Sequence, residues 1–421
     1  MKWPEIRLGH IADIQGGGTP RRNNTDFWNG KIPWLTPTDL PKPGDGIKFV
    51  NDTLNKISEK GLNNSSAKLL PIGTVLFSSR ATIGKIGISN VPMTTNQGFI
   101  NFIPNETIES KYLAYALMFY HNKISLLAGS TTFKEVSKSS IKGFKIPVPP
   151  LSEQRKIVEI LDQADALRKL RAEADAKAER ILPALFYKMF GDPVTNPMGW
   201  PTFKISELTV KIEKRNPKDK PDEHFKYVDI AGIDGVKGKI TKYKQLIGSE
   251  APSRARQIIK NNDVIISTVR PYLRATALVP EQLSEEICST GFCVLRTKED
   301  YGFGYLYALT RLQWFTDTLN SMARGASYPA VTDRDILNLK IPIPSDDARL
   351  AKFDDAVLQL QTAINDRVES KNRIETLFGS ILHRAFSGDL TAKWREAHMK
   401  ELLKEMEEQA KALKKTAEKK K

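Results

Sequence analysis

Apolar positions along the chain fall into two recurring patterns. Short apolar runs bounded by polar or chain-breaking residues predict buried strands, clearest at 74–78 and 264–267, with further strands at 100–103 and 292–295. Stretches with helical spacing cover 111–127 and 304–322. Prolines at 147, 149 and 150, and again at 342 and 344, end any regular element and mark a domain edge. After each edge the pattern becomes a three-four repeat. In the first stretch it runs through Ile157, Ile160, Ala164, Leu167, Ala174, Ala178, Ile181 and Leu185. In the second it runs through Phe353, Val357, Leu360, Ile364, Ile374, Phe378, Ile381 and Ala385. This spacing puts one apolar seam on one face of a long helix. The economical expectation is that the two seams pair with each other, antiparallel because a globular block lies between them. The competing arrangement docks each seam on its own block. Arg171, Arg367 and Lys371 interrupt the seams and are expected to snorkel or to pair with carboxylates such as Glu173 or Asp366.

The two patterns occur twice in the same order. Thr74-Val-Leu-Phe-Ser-Ser-Arg80 matches Asp263-Val-Ile-Ile-Ser-Thr-Val-Arg270, with one extra residue before the arginine. Thr95-Asn-Gln-Gly-Phe99 is echoed by Cys288-Ser-Thr-Gly-Phe292, Tyr112-Leu113 by Tyr305-Leu306, and Gly129-Ser-Thr-Thr-Phe133 by Gly325-Ala-Ser-Tyr328. Ile146-Pro-Val-Pro149 returns as Ile341-Pro-Ile-Pro344, and Phe190-Gly-Asp192 as Phe386-Ser-Gly-Asp389. Six matches in one order predict a duplicated unit. The expected fold is α/β (α+β): two similar mixed blocks at 1–150 and 193–345, two long helices at 151–192 and 346–390 forming an antiparallel coiled coil, and a charged helical tail at 391–421. In that tail Trp394, Met399, Leu402, Leu403, Met406, Ala410 and Leu413 form a stripe that either docks on a partner or closes a bundle in cis.

Composition narrows the function. A chain of 421 residues is long enough for two or three domains. With 64 Lys and Arg against 49 Asp and Glu it carries +15, which suits a polyanionic partner such as DNA or RNA, or an acidic protein surface. Cys288 and Cys293 are the two cysteines; they support neither a disulfide framework nor a four-ligand zinc site. A reducing, cytoplasmic setting is expected. No apolar window approaches the roughly 18 residues of a membrane span, and the N-terminus lacks a signal-peptide stretch.

The motifs of catalysis are missing. Gly16-Gly-Gly18 lacks the spacing of a dinucleotide loop, and Gly235-Val-Lys-Gly-Lys-Ile-Thr241 lacks that of a phosphate loop. His10, His121, His224, His383 and His398 are too far apart in sequence to form a local metal motif. No catalytic residue, metal ligand or cofactor site is assigned. A protein that reads DNA instead needs phosphate-holding cations beside base-reading donors. Four loop groups supply both. The first holds Thr19, Arg21, Arg22, Asn23 and Asn24. The second holds Ser78, Ser79, Arg80 and Thr82, with the counterparts Arg270, Tyr272 and Arg274. The third holds Ser130, Thr131 and Lys134, with Arg324, Ser327 and Tyr328. The fourth, in the second copy alone, holds Arg254 and Arg256. For Arg80 and Arg270 the plainer alternative is a solvated or salt-bridged charge at a strand end. For Arg21 and Arg22 it is an ordinary charged turn. Two unlike readers held apart by helices would read two unlike half-sites.

The run Ile146-Pro-Val-Pro-Pro-Leu-Ser-Glu-Gln-Arg-Lys-Ile157, the later Ile341-Pro-Ile-Pro344, and Phe386-Ser-Gly-Asp-Leu-Thr-Ala-Lys-Trp-Arg-Glu396 resemble the specificity subunit of type I restriction-modification enzymes. The opening 3–20 resembles the start of its first target-recognition domain, and residues 344–350 depart from the family pattern. The resemblance covers 1–395. It implies target-recognition domains at 1–150 and 193–345 and an asymmetric bipartite site on double-stranded DNA. It also implies two modification subunits that methylate adenine at N6, and restriction subunits that translocate and cleave. S-adenosylmethionine, ATP and Mg would lie in those partners, and this chain would be non-catalytic. The tail is expected to bind a modification subunit, because its stripe needs cover. The alternatives are a standalone nucleic-acid-binding or scaffold protein without a methyltransferase partner, and an enzyme acting on a small substrate.

Overall fold

The computed structural model describes residues 3–129, 134–299 and 302–418. The chain forms two compact units, Met1–Leu170 with Lys371–Lys421, and Arg171–Ser370. In unit 1 the main sheet has five strands in the order Ala12–Gly16, Phe99–Pro104, Val75–Ser78, Ile86–Ser89, Lys48–Val50. Only the last pair is parallel. Every residue of Val75–Ser78 is buried, as is every residue of its counterpart Val264–Ser267 in unit 2. A strand covered on both faces gives an unbroken apolar run, which is why these two were the clearest in the sequence. In unit 2 Val264–Ser267 lies between Thr276–Leu278 and Phe292–Leu295, and a second sheet orders Lys244–Ile247, His224–Val228, Glu286–Ser289, Ala255–Ile259.

The duplication extends to individual hydrogen bonds. Ser79 N and Oγ donate to Gly98 O at 2.8 and 3.2 Å; Thr268 N and Oγ1 both donate to Gly291 O at 2.9 Å. Val136 N donates to Ser79 O, and Val331 N to Thr268 O. The hydroxyls of Tyr112 and Tyr305 donate to Pro147 O and Pro342 O. Each Ile-Pro segment closes its block by pairing with the opening strand, Lys145–Pro147 with Glu5–Arg7 and Lys340–Pro342 with Thr202–Lys204. Ile146 and Ile341 are fully buried there. One detail of the alignment changes. The backbone of Arg80 bridges Glu135 and that of Val269 bridges Ala330, so Arg80 corresponds to Val269 and Arg270 is the added residue.

The helical regions are more broken than expected. Residues 111–127 form Ser110–Phe119 and His121–Ser125, and 304–322 lie within Phe303–Thr310 and Gln313–Met322. The helix expected over 151–192 is two, Leu151–Ala178 and Ile181–Phe190. Pro183 stands in the first turn of the second, where its missing N–H costs nothing. The later helix, Asp347–Ser387, is continuous over 41 residues.

The seams both pair and dock on the blocks. In unit 1 Ile157, Leu161, Ala164, Phe378, Leu382, Ala385 and Phe386 share one core with Tyr112 and Leu113. Glu153 meets Arg395, while Arg168 meets Glu375 and stacks 4.3 Å over Phe378, so the two segments run antiparallel. In unit 2 Phe186 and Phe190 pack on Phe353 and Tyr305, with Val357 in the same core. Leu167 and Ile181, expected on the seam, are 52% and 41% exposed. Ile160, Leu185, Leu360, Ile364, Ile374 and Ile381 are only half-buried. Leu161 takes the place expected of Ile160 on the buried face at 157, 161 and 164, because residues of the globular block as well as of the partner helix cover it. Arg171 pairs with Asp175 at 2.6 Å rather than with Glu173.

The tail forms Ala392–Ala397 and Met399–Glu418 and belongs to unit 1. Leu402 is buried, Leu413 packs on the main core, and Gln409 Nε2 donates to Thr107 O and Pro149 O. Ser152 N and Oγ donate to Glu405. The stripe that was expected to need a partner's cover is therefore largely covered in cis. Leu403, at 50%, is its exposed large residue.

In unit 2, Asp354 accepts the backbone N–H groups of Gly302 at 2.6 Å and Gly304 at 2.7 Å, capping Phe303–Thr310. Burial pushes its carboxyl up to about 6, against the pull of those N–H groups. The folded chain then takes up a proton between about pH 6 and 4 that the unfolded chain takes up only lower down, so this group favours folding as pH falls through that window. The stability difference between wild type and Asp354→Asn, from denaturant melts at stepped pH, is expected to shift in favour of wild type on acidification. A pH-independent difference would contradict this.

Candidate nucleic-acid interface

Each unit presents a short turn fastened from several sides. In unit 1 it is 95–99. Gly18 N donates to Thr95 O, Asn96 N to Leu35 O, Gly98 N to Asn96 Oδ1, and Ser79 to Gly98 O. The glycine loop reaches this turn because it lacks side chains. A Cβ on Gly17 would lie 1.9 Å from Asn96 O, and one on Gly18 would lie 2.2 Å from Ala67 N. In unit 2 the turn is 288–292. Thr290 N donates to Arg254 O, Gly291 N to Ser289 Oγ, Gln257 Nε2 to Ser289 O and Phe292 O, and Thr268 to Gly291 O.

These turns draw together most of the loops picked out from sequence. In unit 1 the 17–24 loop is joined to the turn through Gly18 N to Thr95 O, and the 79–84 loop through Ser79 to Gly98 O. The Thr19 hydroxyl donates to the Gln97 carbonyl oxygen. Arg21, Arg22 and Asn23 are exposed, and neither guanidinium is ion-paired with a described residue. Asn24 is partly committed, since its Oδ1 caps Thr25–Phe27 through Asp26 N. Ser78 and Ser79 are corrections. Both are buried, with hydroxyls bonded to Thr82 O and Gly98 O, so they hold the loop and cannot touch DNA. Arg80 is exposed but ion-paired to Glu135 at 2.7 Å. Thr82 and Lys134 are exposed, and Ser130 and Thr131 lie outside the described residues.

Unit 2 gathers a denser cluster. The 269–274 and 324–330 loops meet through the Val269–Ala330 bridge and Arg270 N to Pro329 O. The Arg270 guanidinium lies 4.6 Å over the Tyr328 ring, a cation–π contact that fixes both. Tyr328, Tyr272 and Leu273 are 68%, 52% and 53% exposed. Arg270 Nε is buried and has no hydrogen-bond partner among the described residues. Arg270 and Arg274 both hold φ +51°, and Ala81 in the matching loop of unit 1 holds φ +56°. Left-handed backbone in non-glycine residues costs about 1–2 kcal/mol each and persists where surrounding structure enforces it. Arg274 donates to Gln313, Arg324 approaches Asp335 at 3.7 Å, and Ser327 is exposed. Arg254 is exposed, whereas Arg256 folds back onto Pro252 O and Ala255 O.

Sequence reading missed a basic run beside Arg254. Lys214 bridges Gln257, Arg215 N donates to Arg256 O, and Lys211, Lys214 and Lys218 are exposed. The signal was present as four cations within eight residues, at the position the glycine loop holds in the first copy. Among the described residues no three His, Cys, Asp or Glu converge on a metal-binding geometry. Burial pushes the Cys288 and Cys293 thiols well up, so neither is a thiolate at neutral pH. No described helix is long and apolar enough to cross a membrane.

The family model for the type I restriction modification DNA specificity domain matches residues 1–180 and 197–375. The chain belongs to that family. As a member of the type I specificity family it is similar to the MjaIX specificity subunit of Methanocaldococcus jannaschii, 31% identical over 247 residues, covering 54% of this chain and 56% of the relative. It is similar also to the EcoR124I/EcoR124II specificity subunit of Escherichia coli, 36% identical over 167 residues, covering 38% and 40%. The chain thus spans about half the length, or less, of these curated relatives. The MjaVIII specificity subunit of M. jannaschii matches at 22% identity over 93% of both chains. Two solved structures share the fold. A chain from a study of assembly and conformational transition in the type I R-M system has TM-score 0.57 at 19% identity, covering 92% of this chain and 98% of that one. The S subunit from M. genitalium has TM-score 0.54 at 12%, covering 92% and 96%.

Proposed function

We propose that this specificity-family chain is the DNA-reading subunit of a type I restriction-modification complex. It reads an asymmetric bipartite target on double-stranded DNA and positions two modification subunits for adenine N6 methylation; restriction subunits join that assembly. The observation that carries the reading is the duplicated platform: the same fastened turn, flanked by the same loops, bears different exposed cations and aromatics in each unit. Alike frames with unlike tips suit two unlike half-sites. The chain itself supplies no catalysis. Its part is to bind and orient, while S-adenosylmethionine, ATP and Mg belong to the partner subunits. The setting is cytoplasmic, as a DNA partner in a reducing compartment requires.

Mapping N6-methyladenine in cells carrying the full system tests this. One motif with two unlike halves and a fixed spacer is expected; no adenine methylation dependent on this chain, or a contiguous motif, would overturn it. Binding should also fall steeply with salt, by about 0.9 in log affinity per log salt for each phosphate neutralised. Replacing Lys214 and Arg215 with alanine should reduce that slope by roughly one to two, equally for cognate and random duplex. An unchanged slope in filter-binding titrations would exclude the basic run from the interface.

A further inference from the structure

We infer that Gln97 and Thr290 are specificity-determining residues, the central base-reading position of each unit; the inference rests on the DNA-reading function proposed above. In unit 1 the residues on either side of Gln97 are committed: Thr95, Asn96, Gly98 and Phe99 are tied by backbone or side-chain bonds to Gly18, Leu35, Ser79 and one another. In unit 2 Cys288, Ser289, Gly291 and Phe292 are tied in the same way, to Val228, Gln257, Arg254 through Thr290 N, and Thr268. Thr95 and Cys288 even hold the same parallel pairing, to Leu35 and Val228. What each turn leaves free is one exposed side chain at the same place, Gln97 or Thr290.

The chemistry at that place differs between the copies. The carboxamide of Gln97 accepts from the Thr19 hydroxyl through one lone pair of its oxygen. A second lone pair remains, and its NH2 has no partner among the described residues. Acceptor and donor side by side match the N6 amine and N7 of adenine in the major groove. Thr19 acts as a positioning residue, fixing the amide plane before DNA arrives. Thr290 offers a methyl and a hydroxyl, suited to the thymine methyl or to any single polar edge. Exposed Arg21 and Arg22 follow Thr19, the residue that bonds Gln97, by two and three positions, and Thr290 N donates to Arg254 O, so each reading tip is joined to a loop that carries exposed cations. The frame is common to both units and the letter it reads is set by one side chain.

The test is selection from a random duplex pool at fixed ionic strength, using the full chain in the complex isolated from cells carrying its system. Gln97→Thr, Gln97→Glu and Thr290→Gln are compared with wild type, with thermal midpoints recorded for each. Gln97→Thr is expected to lose about ten- to hundredfold discrimination at one adenine of one half-site. Gln97→Glu should shift that position towards cytosine, and Thr290→Gln should add an adenine preference in the other half-site alone. Folded variants that select the wild-type sequence overturn the inference and leave the DNA-reading function standing. A wild-type complex that enriches no sequence overturns that function first. Loss of both halves from either substitution assigns the turn to the scaffold and overturns the inference.

Discussion

Arg395→Ala is expected to weaken unit 1 by about 3–5 kcal/mol, because it strips the counter-charge from a buried carboxylate. Glu153 is fully buried. Its Oε1 accepts from Arg395 Nε at 2.7 Å and Thr391 Oγ1 at 2.6 Å, and its Oε2 from Trp3 Nε1 at 2.9 Å. The guanidinium also donates to Gly388 O and lies 4.7 Å over the Trp3 ring. One ion pair thus ties the first strand's approach, the start of the long helix and the tail into one body. Its net worth against an apolar replacement is small, since both ions lose their hydration. Glu153→Leu with Arg395→Leu should therefore lie much closer to wild type than Arg395→Ala does. Hydrogen exchange of Leu113 and Leu117 under increasing urea, which reports opening of unit 1, checks both. Equal protection in wild type and Arg395→Ala would contradict the account.

Gly17→Ala is expected to remove sequence reading by unit 1 while sparing unit 2. The added Cβ would lie 1.9 Å from Asn96 O and 2.5 Å from Thr95 Oγ1, and the first of these is backbone held on both sides. Either the glycine loop or the turn must move by an ångström or more, and Thr19, Arg21 and Gln97 move with it. Losing two base contacts worth about 1–3 kcal/mol each lowers affinity for the first half-site by roughly a hundredfold or more. Gly379→Ala, inside the long helix Asp347–Ser387, is the control, since among the described residues nothing lies within 4 Å of the added carbon. Competition titrations with duplexes altered in one half at a time would show it. Undiminished discrimination in the first half would place the glycine loop away from DNA.

Features repeated along the chain are the ones legible in the sequence alone. The strands Val75–Ser78 and Val264–Ser267, the paired Ile-Pro closures and the two long helices all carry strong local patterns, and the fold follows from them. The helical seam was misread where tertiary context overrides periodicity. Leu167 and Ile181 fit the heptad but face solvent, whereas Leu161 is buried because a globular block, not only a partner helix, covers that face. The site was half legible. Exposed Arg21, Arg22 and Tyr328 looked in sequence like buried Ser78 and Ser79, since a loop's composition does not say which hydroxyls its own backbone will consume. Gln97 was visible only as part of a repeat; its projection depends on bonds to residues far along the chain. The tail's stripe shows in the sequence that it needs cover but not which surface supplies it, and unit 1 of the chain itself covers most of it.

The central claim is that each unit reads its own half of one bipartite target. Methylated-adenine maps from cells carrying the full system with either Arg21→Ala and Arg22→Ala, or Arg270→Ala and Tyr328→Ala, test it directly. The account predicts that the first pair relaxes one half of the motif and the second pair the other, with the spacer unchanged. Both pairs degrading both halves alike would contradict it.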